Sequence, residues 1–396
     1  MTKKRAVLFL LTIAMPLLLG ACHVQALRNG NGEDPSQGGD EQSPARVTAV
    51  LDLRRPGSLE STISRLTASR VVFVGETHDR YAHHMTQLRI IQALHRDDPR
   101  MAIGMEFFQK PFQAVLDRYV AGELSEAEML ARTEWFDRWR YDYRHYRAIM
   151  RFARRHQIPV LALNVPAELT GRVSEVGLSG LSPEERSRLP ADYDFSDHAY
   201  RERLQEIYQE HAHANEEGFE RFVEVQLTWD EGMAETAANY LRTHPDRKLV
   251  VLAGSGHLMY GSGIPRRLQR RLPVDARIVL PAEQLSVMPG IADFLVFREP
   301  LELPKQGKMG VYMGSHGQGV LVHDVVSGSA ADQAGLKKGD VIRRLDDRQV
   351  ATPADVRIGM LDKMPGDRVE LEILRKPLLR AEQTLTLGLR LQPESP

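Results

Sequence analysis

Four separate stretches of the chain share one pattern: a short apolar run that is typical of a buried strand, followed at once by polar residues. The runs cover residues 71–74, 101–103, 160–163 and 249–252. Apolar runs that alternate with helical segments predict an α/β domain with a mostly parallel sheet and helices on its faces. Since parallel strands end at the same edge, we expect the polar residues that follow them to converge there. These residues are Glu76, His78, Glu106, Asn164 and His257.

The segments between the runs complete this first domain, which we place at residues 47–300. Apolar residues recur at helical spacing over 84–95, which predicts a helix packed on the sheet. Two further stretches, 113–155 and 182–240, are largely helical in character, and a fifth strand is predicted at 277–280.

A second, β-rich unit is predicted at residues 301–392. Its strand-like segments are 310–313, 319–322, 340–342 and 369–374. Between the second and third of them, the run from Ser329 to Ile342 resembles the core signature of PDZ domains of the bacterial HtrA type.

The PDZ resemblance implies that a peptide or protein C-terminus lies along an exposed strand edge, with a backbone nest for its carboxylate. The loop and strand that would bind the peptide depart from the usual Gly-Leu-Gly-Phe form of PDZ domains. The sequence of the preferred peptide therefore stays open. The alternative is a PDZ fold that docks only within its own chain. The residues expected to bind the peptide are Met309, Gly310, Val311, Tyr312 and Met313.

The beginning of the chain has the layout of a secretory signal. Basic residues at 3–5 precede an apolar run at 6–20 that is short for a membrane-spanning helix. The run ends in Leu-Gly-Ala-Cys, which resembles the lipobox of bacterial lipoproteins, and Cys22 is the only cysteine of the chain. The resemblance implies removal of a signal peptide, residues 1–21, and anchoring to a membrane through lipidated Cys22. The alternative is an ordinary signal peptide with an incidental cysteine.

The residues after the cysteine bear on location. His23 follows where an aspartate would favour the inner membrane, so the resemblance implies the outer membrane, facing the periplasm. Residues 22–46 are mostly small and polar and predict a flexible tether, and folding is expected to begin near Val47.

Charge narrows the range of partners. The 396 residues include 52 basic and 53 acidic side chains, for a net charge of -1. Such a balance creates no field that would recruit nucleic acid, so no nucleic-acid partner is expected.

The turns that carry His78 and His257 have residues that could bind a metal ion. Glycine stands three residues before both His78 and His257, where it permits a tight turn and a close backbone approach. Two neutral imidazoles and Glu106 would hold a divalent metal such as manganese or cobalt, with Glu76 as general base. In the structural alternative, each histidine is a cap or a buried polar group with its hydrogen bonds satisfied, Glu106 pairs with an arginine and Asn164 caps a turn.

Two neighbouring features have competing interpretations. The pair His83-His84 follows the first turn and is interpreted as facing solvent, with a supporting role beside the site as the alternative. Six aromatic residues between 135 and 146 form either plain core or the wall of a ligand pocket.

At these residues a family resemblance becomes clear. Gly-Glu-Thr-His-Asp at 75–79, Gly-Met-Glu-Phe-Phe at 104–108, Asn-Val-Pro at 164–166, Trp-Asp at 229–230 and Ala-Gly-Ser-Gly-His at 253–257 resemble the ChaN family of haem-binding lipoproteins. The similarity covers the whole first domain. ChaN-like domains are similar to a wider superfamily that includes Tiki metalloproteases and erythromycin esterases.

The resemblance implies haem as the cofactor, held near His78, His257 and Asn164, with pairing of two subunits and a role in haem and iron uptake. The wider superfamily implies an alternative, metal-dependent hydrolysis by Glu76, His78, Glu106 and His257. A third hypothesis is a non-catalytic envelope scaffold that recruits proteins through the PDZ domain. Haem binding is the first choice.

Overall fold

The computed structural model describes residues 57–209, 215–283, 285–376 and 381–393. The predicted signal peptide and tether, with Cys22, lie outside the described residues. In the described part of the chain, no helix is both long and apolar enough to cross a membrane.

Six strands form the sheet of the first domain, all parallel, in the order β3-β2-β4-β1-β5-β6. They are β1 (Val71–Glu76), β2 (Met101–Gln109), β3 (Val160–Asn164), β4 (Lys248–Gly254), β5 (Ala276–Pro281) and β6 (Phe294–Val296). The five predicted strands are confirmed, whereas β6 was not predicted. Because β1, β4 and β2 are neighbours, their carboxyl ends meet at one edge.

Helices cover both faces of this sheet. They are α1 (Leu59–Thr67), α2 (Tyr81–Asp97), α3 (Gln113–Val120), α4 (Glu126–Arg132), α5 (Trp135–Arg138), α6 (Arg147–Arg155), α7 (Ala167–Val176), α8 (Pro183–Ser187), α9 (His198–Gln209), α10 (Glu216–Thr243) and α11 (Ile264–Arg271). The helix predicted over 84–95 is α2, and the predicted stretch 113–155 is divided into α3 to α6.

Alternation along the strands explains the two cores. Val72 and Val74 of β1 face the helices α1 to α6, whereas Val71 and Phe73 face α10 and α11. Each β1 residue from Val71 to Glu76 is buried, as expected for a strand covered on both sides. The site therefore rests on a rigid support.

The second domain is an antiparallel sheet in the order β12-β11-β9-β8-β7, with β10 paired to β9. Its elements are β7 (Val311–His316), β8 (Gly319–Val325), α12 (Ala330–Gln333), β9 (Val341–Leu345), β10 (Arg348–Gln349), α13 (Pro353–Gly359), β11 (Arg368–Arg375) and β12 (Gln383–Arg390). The four predicted strands are confirmed, and β10 and β12 were not predicted. The two sheets are separated by residues 297–310, which contain the predicted domain boundary.

Candidate functional site

The carboxyl end of β1 places a histidine beside a buried glutamate. A side chain at Gly75 would clash with Leu280 and lie 2.9 Å from Ser255 Oγ, so glycine lets the strand end pack closely. Glu76 is 2 % exposed, and its Oε1 is hydrogen-bonded to Nδ1 of His78. Because Nδ1 is held in this way, Nε2 of His78 points away from Glu76.

This pair is ionised at neutral pH. Burial disfavours charge on both partners, but the attraction and hydrogen bond between them outweigh it. The pKa of His78 is raised to about 9, and the pKa of Glu76 is lowered.

The carboxyl end of β4 carries a second pair of the same kind. Nδ1 of His257 lies 2.6 Å from Oδ1 of Asp230 on α10, and the Tyr200 hydroxyl donates to Oδ2 of Asp230 at 2.6 Å. Asp230 is fully buried. Burial lowers the pKa of His257, but Glu106 and Asp230 attract its proton more strongly and raise that pKa to about 9.

Glu106 of β2 lies between the two pairs. Its Oε2 accepts the Gly254 N–H at 2.7 Å, and its Oε1 lies 3.5 Å from Nε2 of His257. A Cβ at Gly254 would lie 3.0 Å from Cε1 of His78 and 3.7 Å from Oε2 of Glu106. The structure thus brings Glu76, His78, Glu106 and His257 together, while the roles predicted for them stay predictions.

Asn164 lies beside this group at the end of β3. Its Nδ2 donates to the backbone carbonyl of Glu106 at 3.2 Å, and its Oδ1 accepts the Val165 N–H at 2.9 Å. Since both polar atoms bond to the backbone, Asn164 fixes the position of the β2 end.

Aromatic side chains surround the exposed side of His78. The rings of Trp139 and Tyr141 lie 4.8 Å from the imidazole, centroid to centroid, and Phe107 packs against Trp139 at 5.0 Å. Trp139 and Tyr141 are only partly buried, whereas Tyr146 behind them is fully buried. The aromatic cluster therefore divides into core and wall.

The interpretation of His83 and His84 as solvent-facing is wrong. His83 is 5 % exposed and His84 is fully buried. Nε2 of His84 lies 3.1 Å from the His78 carbonyl oxygen and 3.4 Å from Oε2 of Glu76, and its Nδ1 faces Gln87. His84 therefore supports the first pair from behind.

Sequence reasoning did not assign Asp230 or Tyr200 to the site. Asp230 entered the sequence analysis only as part of the Trp-Asp pattern, within a stretch predicted to be largely helical. Asp230 lies at helical spacing from Leu227 and Ala234, which are buried on α10. A carboxylate on an apolar helix face must find a partner when it is buried, and that was the available indication.

The arrangement of these side chains does not support the predicted metal site. Among the described residues, no group of three or more histidine, cysteine, aspartate or glutamate side chains is arranged to hold a metal ion. The geometry gives no support to manganese or cobalt at His78, Glu106 and His257.

The predicted peptide-binding segment lies along β7, the outermost strand of the second sheet. Met309 is buried in the PDZ core, and Val311 and Met313 pack against that core. Gly310 has a φ of 79°, and a side chain there would clash with Ser329. The Tyr312 side chain, in contrast, is 64 % exposed.

The fold and site define a parallel α/β domain followed by a PDZ-like domain. At the strand ends of the α/β domain, two histidines are each hydrogen-bonded to a buried carboxylate. The family model described as haem-binding uptake, Tiki superfamily, ChaN matches residues 62–268, and a PDZ domain model matches residues 307–387. The first match covers more than half of the chain, which therefore belongs to the ChaN family. The family and the PDZ domain predicted from the sequence are confirmed.

The chain is similar to a solved structure and to two curated proteins, each over part of its length. The solved structure of ChaN of Campylobacter jejuni, with cofacial heme, shares the fold at 20 % identity and a TM-score of 0.50 over 60 % of this chain and 91 % of that one. The serine protease Do-like HtrB of Bacillus subtilis is 35 % identical over 95 residues, which are 24 % of this chain and 20 % of that protein. The HtrA protein of the same organism is 38 % identical over 72 residues, 18 % and 16 % of the two chains. The chain thus spans a fifth or less of these two curated relatives.

Proposed function

We propose that the first domain binds haem at the carboxyl edge of its sheet and that the PDZ domain binds peptide or protein C-termini. One observation carries the haem proposal: two imidazoles, each held at Nδ1 by a buried carboxylate, converge beside an aromatic wall. Haem requires nitrogen or phenolate ligands for its iron and apolar side chains against its ring. The residues present fit both requirements.

Of the two histidines, His78 is better placed to contact haem. Its side chain is 27 % exposed and its Nε2 is free of the Glu76 hydrogen bond, whereas Nε2 of His257 already faces Glu106 and that side chain is 16 % exposed. We therefore assign His78 to direct contact with haem and His257 to the adjoining surface. Asn164 contributes by fixing the end of β2.

The buried carboxylates would prepare the imidazoles for binding to iron. A carboxylate on Nδ1 fixes the orientation of an imidazole and makes its other nitrogen a stronger ligand. When bound, haem supplies an iron atom that accepts such a nitrogen. Loss of the His78 proton leaves Nε2 with the lone pair that ligation needs, so haem competes with protons at this residue.

A haem titration tests the proposal. The full chain in detergent should give a shifted Soret band that saturates with added haem. His78→Ala should weaken binding by about tenfold or more, in line with loss of a ligand or its immediate partner. The matched control is His156→Ala, an exposed histidine just after α6, which should leave the titration unchanged. Unshifted spectra, or equal binding by the His78 variant, would refute the proposal.

The cellular setting belongs to the same proposal. The chain is anchored through lipidated Cys22 in the outer membrane, faces the periplasm and serves haem and iron uptake, with two subunits pairing when haem binds. Cys22→Ser should abolish labelling with a radioactive fatty acid and release the protein from membranes. Sedimentation with and without haem would detect the pairing.

A further inference from the structure

The two domains share a packed surface formed by α13. This helix lies against α4 and α5 of the first domain. Ala354 and Ile358, with Leu361 just beyond the helix, lie on one face, and they join the core that contains Trp135 and Phe136. Two residues of the same segment belong to the PDZ core instead: Val356 and Met360.

Polar contacts hold this surface in register. Arg357 on α13 donates to the backbone carbonyl of Phe136 at 3.3 Å and lies over its ring at 5.9 Å. Nη1 of Arg147 lies 2.6 Å from Oδ1 of Asp362, while its Nη2 binds Glu126 of α4 at 2.6 Å. The first domain therefore fixes the position of α13 through contacts on one side of the helix.

On another side, α13 borders the predicted peptide groove. Helix α13 lies next to β7, whose outer edge has no partner strand among the described residues. The N–H groups of Met309 and Gly310, just before β7, also have no acceptor in the part of the chain that the structure describes. A peptide laid along β7 would therefore contact the helix that the first domain holds.

Helix α5 connects this surface to the haem site. The ring of Trp135 lies 5.1 Å from that of Tyr146, and the Tyr146 hydroxyl donates to the His78 carbonyl at 3.2 Å. Trp139, the residue after α5, packs at 4.8 Å from His78 and donates its indole N–H to the Tyr146 hydroxyl at 3.0 Å. One short helix thus touches α13 at one end and the His78 wall at the other.

The backbone on both sides of α5 is strained. Glu134 has a φ of 53° and Arg140 a φ of 70°, a left-handed conformation that is unfavourable for residues with a side chain. Strain of this kind persists only where surrounding contacts hold it, and it is frequent in switch regions. The packing of α13 on one side and of the aromatic wall on the other supplies those contacts.

We infer that the peptide groove and the His78 site are linked through α13 and α5, so that each site binds its ligand more tightly when the other is occupied. The inference rests on the proposed haem function. A peptide between β7 and α13 orders α13 against α5, which fixes Trp139 and Tyr141 around His78. Because linkage is reciprocal, haem at His78 must order α13 and the groove by the same free energy.

Hydrogen exchange on the full chain in detergent tests this linkage with haem alone as the probe. Haem should slow amide exchange in residues 353–361 and 309–316 by about fivefold or more, the lower end of typical coupling between sites. Strand β12, in the same domain but away from α13, is the internal reference. The variant Asp362→Ala changes a side chain that is 74 % exposed, so it should fold, yet it should reduce the effect of haem. Ile358→Ala should reduce it further, and Arg390→Ala on β12 should not change it.

The outcomes separate the inference from the function on which it rests. A Soret shift together with slowed exchange in α13, weakened by Asp362→Ala, supports the linkage. A Soret shift with unchanged exchange in α13 overturns the linkage and leaves haem binding intact. Absence of a Soret shift overturns the haem proposal, and the linkage with it.

Discussion

The two histidine pairs reach the same arrangement by different routes. Glu76 and His78 are two residues apart, so the last residue of β1 and the turn that follows it supply both partners of the first pair. Asp230 and His257 are 27 residues apart, and the pair forms only when α10 packs beside β4. The first pair depends on local geometry, whereas the second depends on the whole domain.

Exposure separates the pairs as well. The His78 side chain is 27 % exposed, compared with 16 % for His257, and the carboxylate partners of both are fully buried. Water can therefore partly solvate the His78 imidazole, whereas it has less access to the His257 imidazole. We interpret the first pair as the one that meets the ligand and the second as a fixed part of the support.

The largest difference should appear when each carboxylate is neutralised. Asp230→Asn removes the carboxylate that is hydrogen-bonded to Nδ1 of His257 and places an amide against the Tyr200 hydroxyl, so we expect a loss of about 3–5 kcal/mol in the free energy of unfolding. Glu76→Gln should lose only about 1–3 kcal/mol, because water partly solvates His78. Denaturant unfolding measures both, with the exposed Asp79→Asn as the control. Equal losses would contradict the distinction between the pairs.

Both histidine–carboxylate pairs should contribute to the pH dependence of the free energy of unfolding. Each histidine pKa is raised from 6.5 to about 9 in the folded haem-free protein. A raised pKa stabilises the fold fully below the unfolded value near 6.5, and the contribution disappears as the pH rises through about 9. Urea unfolding of the haem-free chain should therefore show falling stability between pH 6.5 and 9.

The double variant His78→Ala, His257→Ala is the control for that pH dependence. It should flatten the decline, because neither titrating imidazole remains. An undiminished decline in the double variant would assign the pH dependence to other groups.

The smallest effect should come from Asn164, which contacts the backbone of Glu106 rather than a ligand. Asn164→Ala removes two hydrogen bonds, and we expect a loss of about 1–2 kcal/mol in stability. Haem affinity should fall by less than about tenfold, the lower end of the range for residues that support a ligand indirectly. The Soret titration measures this, and a loss as large as that of His78→Ala would make Asn164 a direct contact.

The same contrast explains what could be predicted from the sequence. The strands are short apolar runs with polar ends, so their existence and the meeting of Glu76, His78 and Glu106 at one edge followed from local patterns. Asp230 could not be assigned, because its contact with His257 depends on how a long helix packs. The burial of His84 was mispredicted, since nothing local shows that Glu76 and Gln87 satisfy a polar ring inside the core.

The PDZ domain shows the same limit. Its signature and four of its strands were evident from local patterns, but the packing of Ile358 against the first domain was not. A helix with apolar residues on two faces gives no indication of which neighbour covers the second face. The link between the domains thus came from the structure alone.

The most direct test of the central claim is the position of iron in crystals grown with haem, measured by anomalous diffraction at the iron edge. We predict an iron peak at the carboxyl edge of the first sheet, next to the His78 imidazole and beside Trp139 and Tyr141. Iron bound on another surface of the protein, with the His78 pair unchanged and unoccupied, would contradict the account.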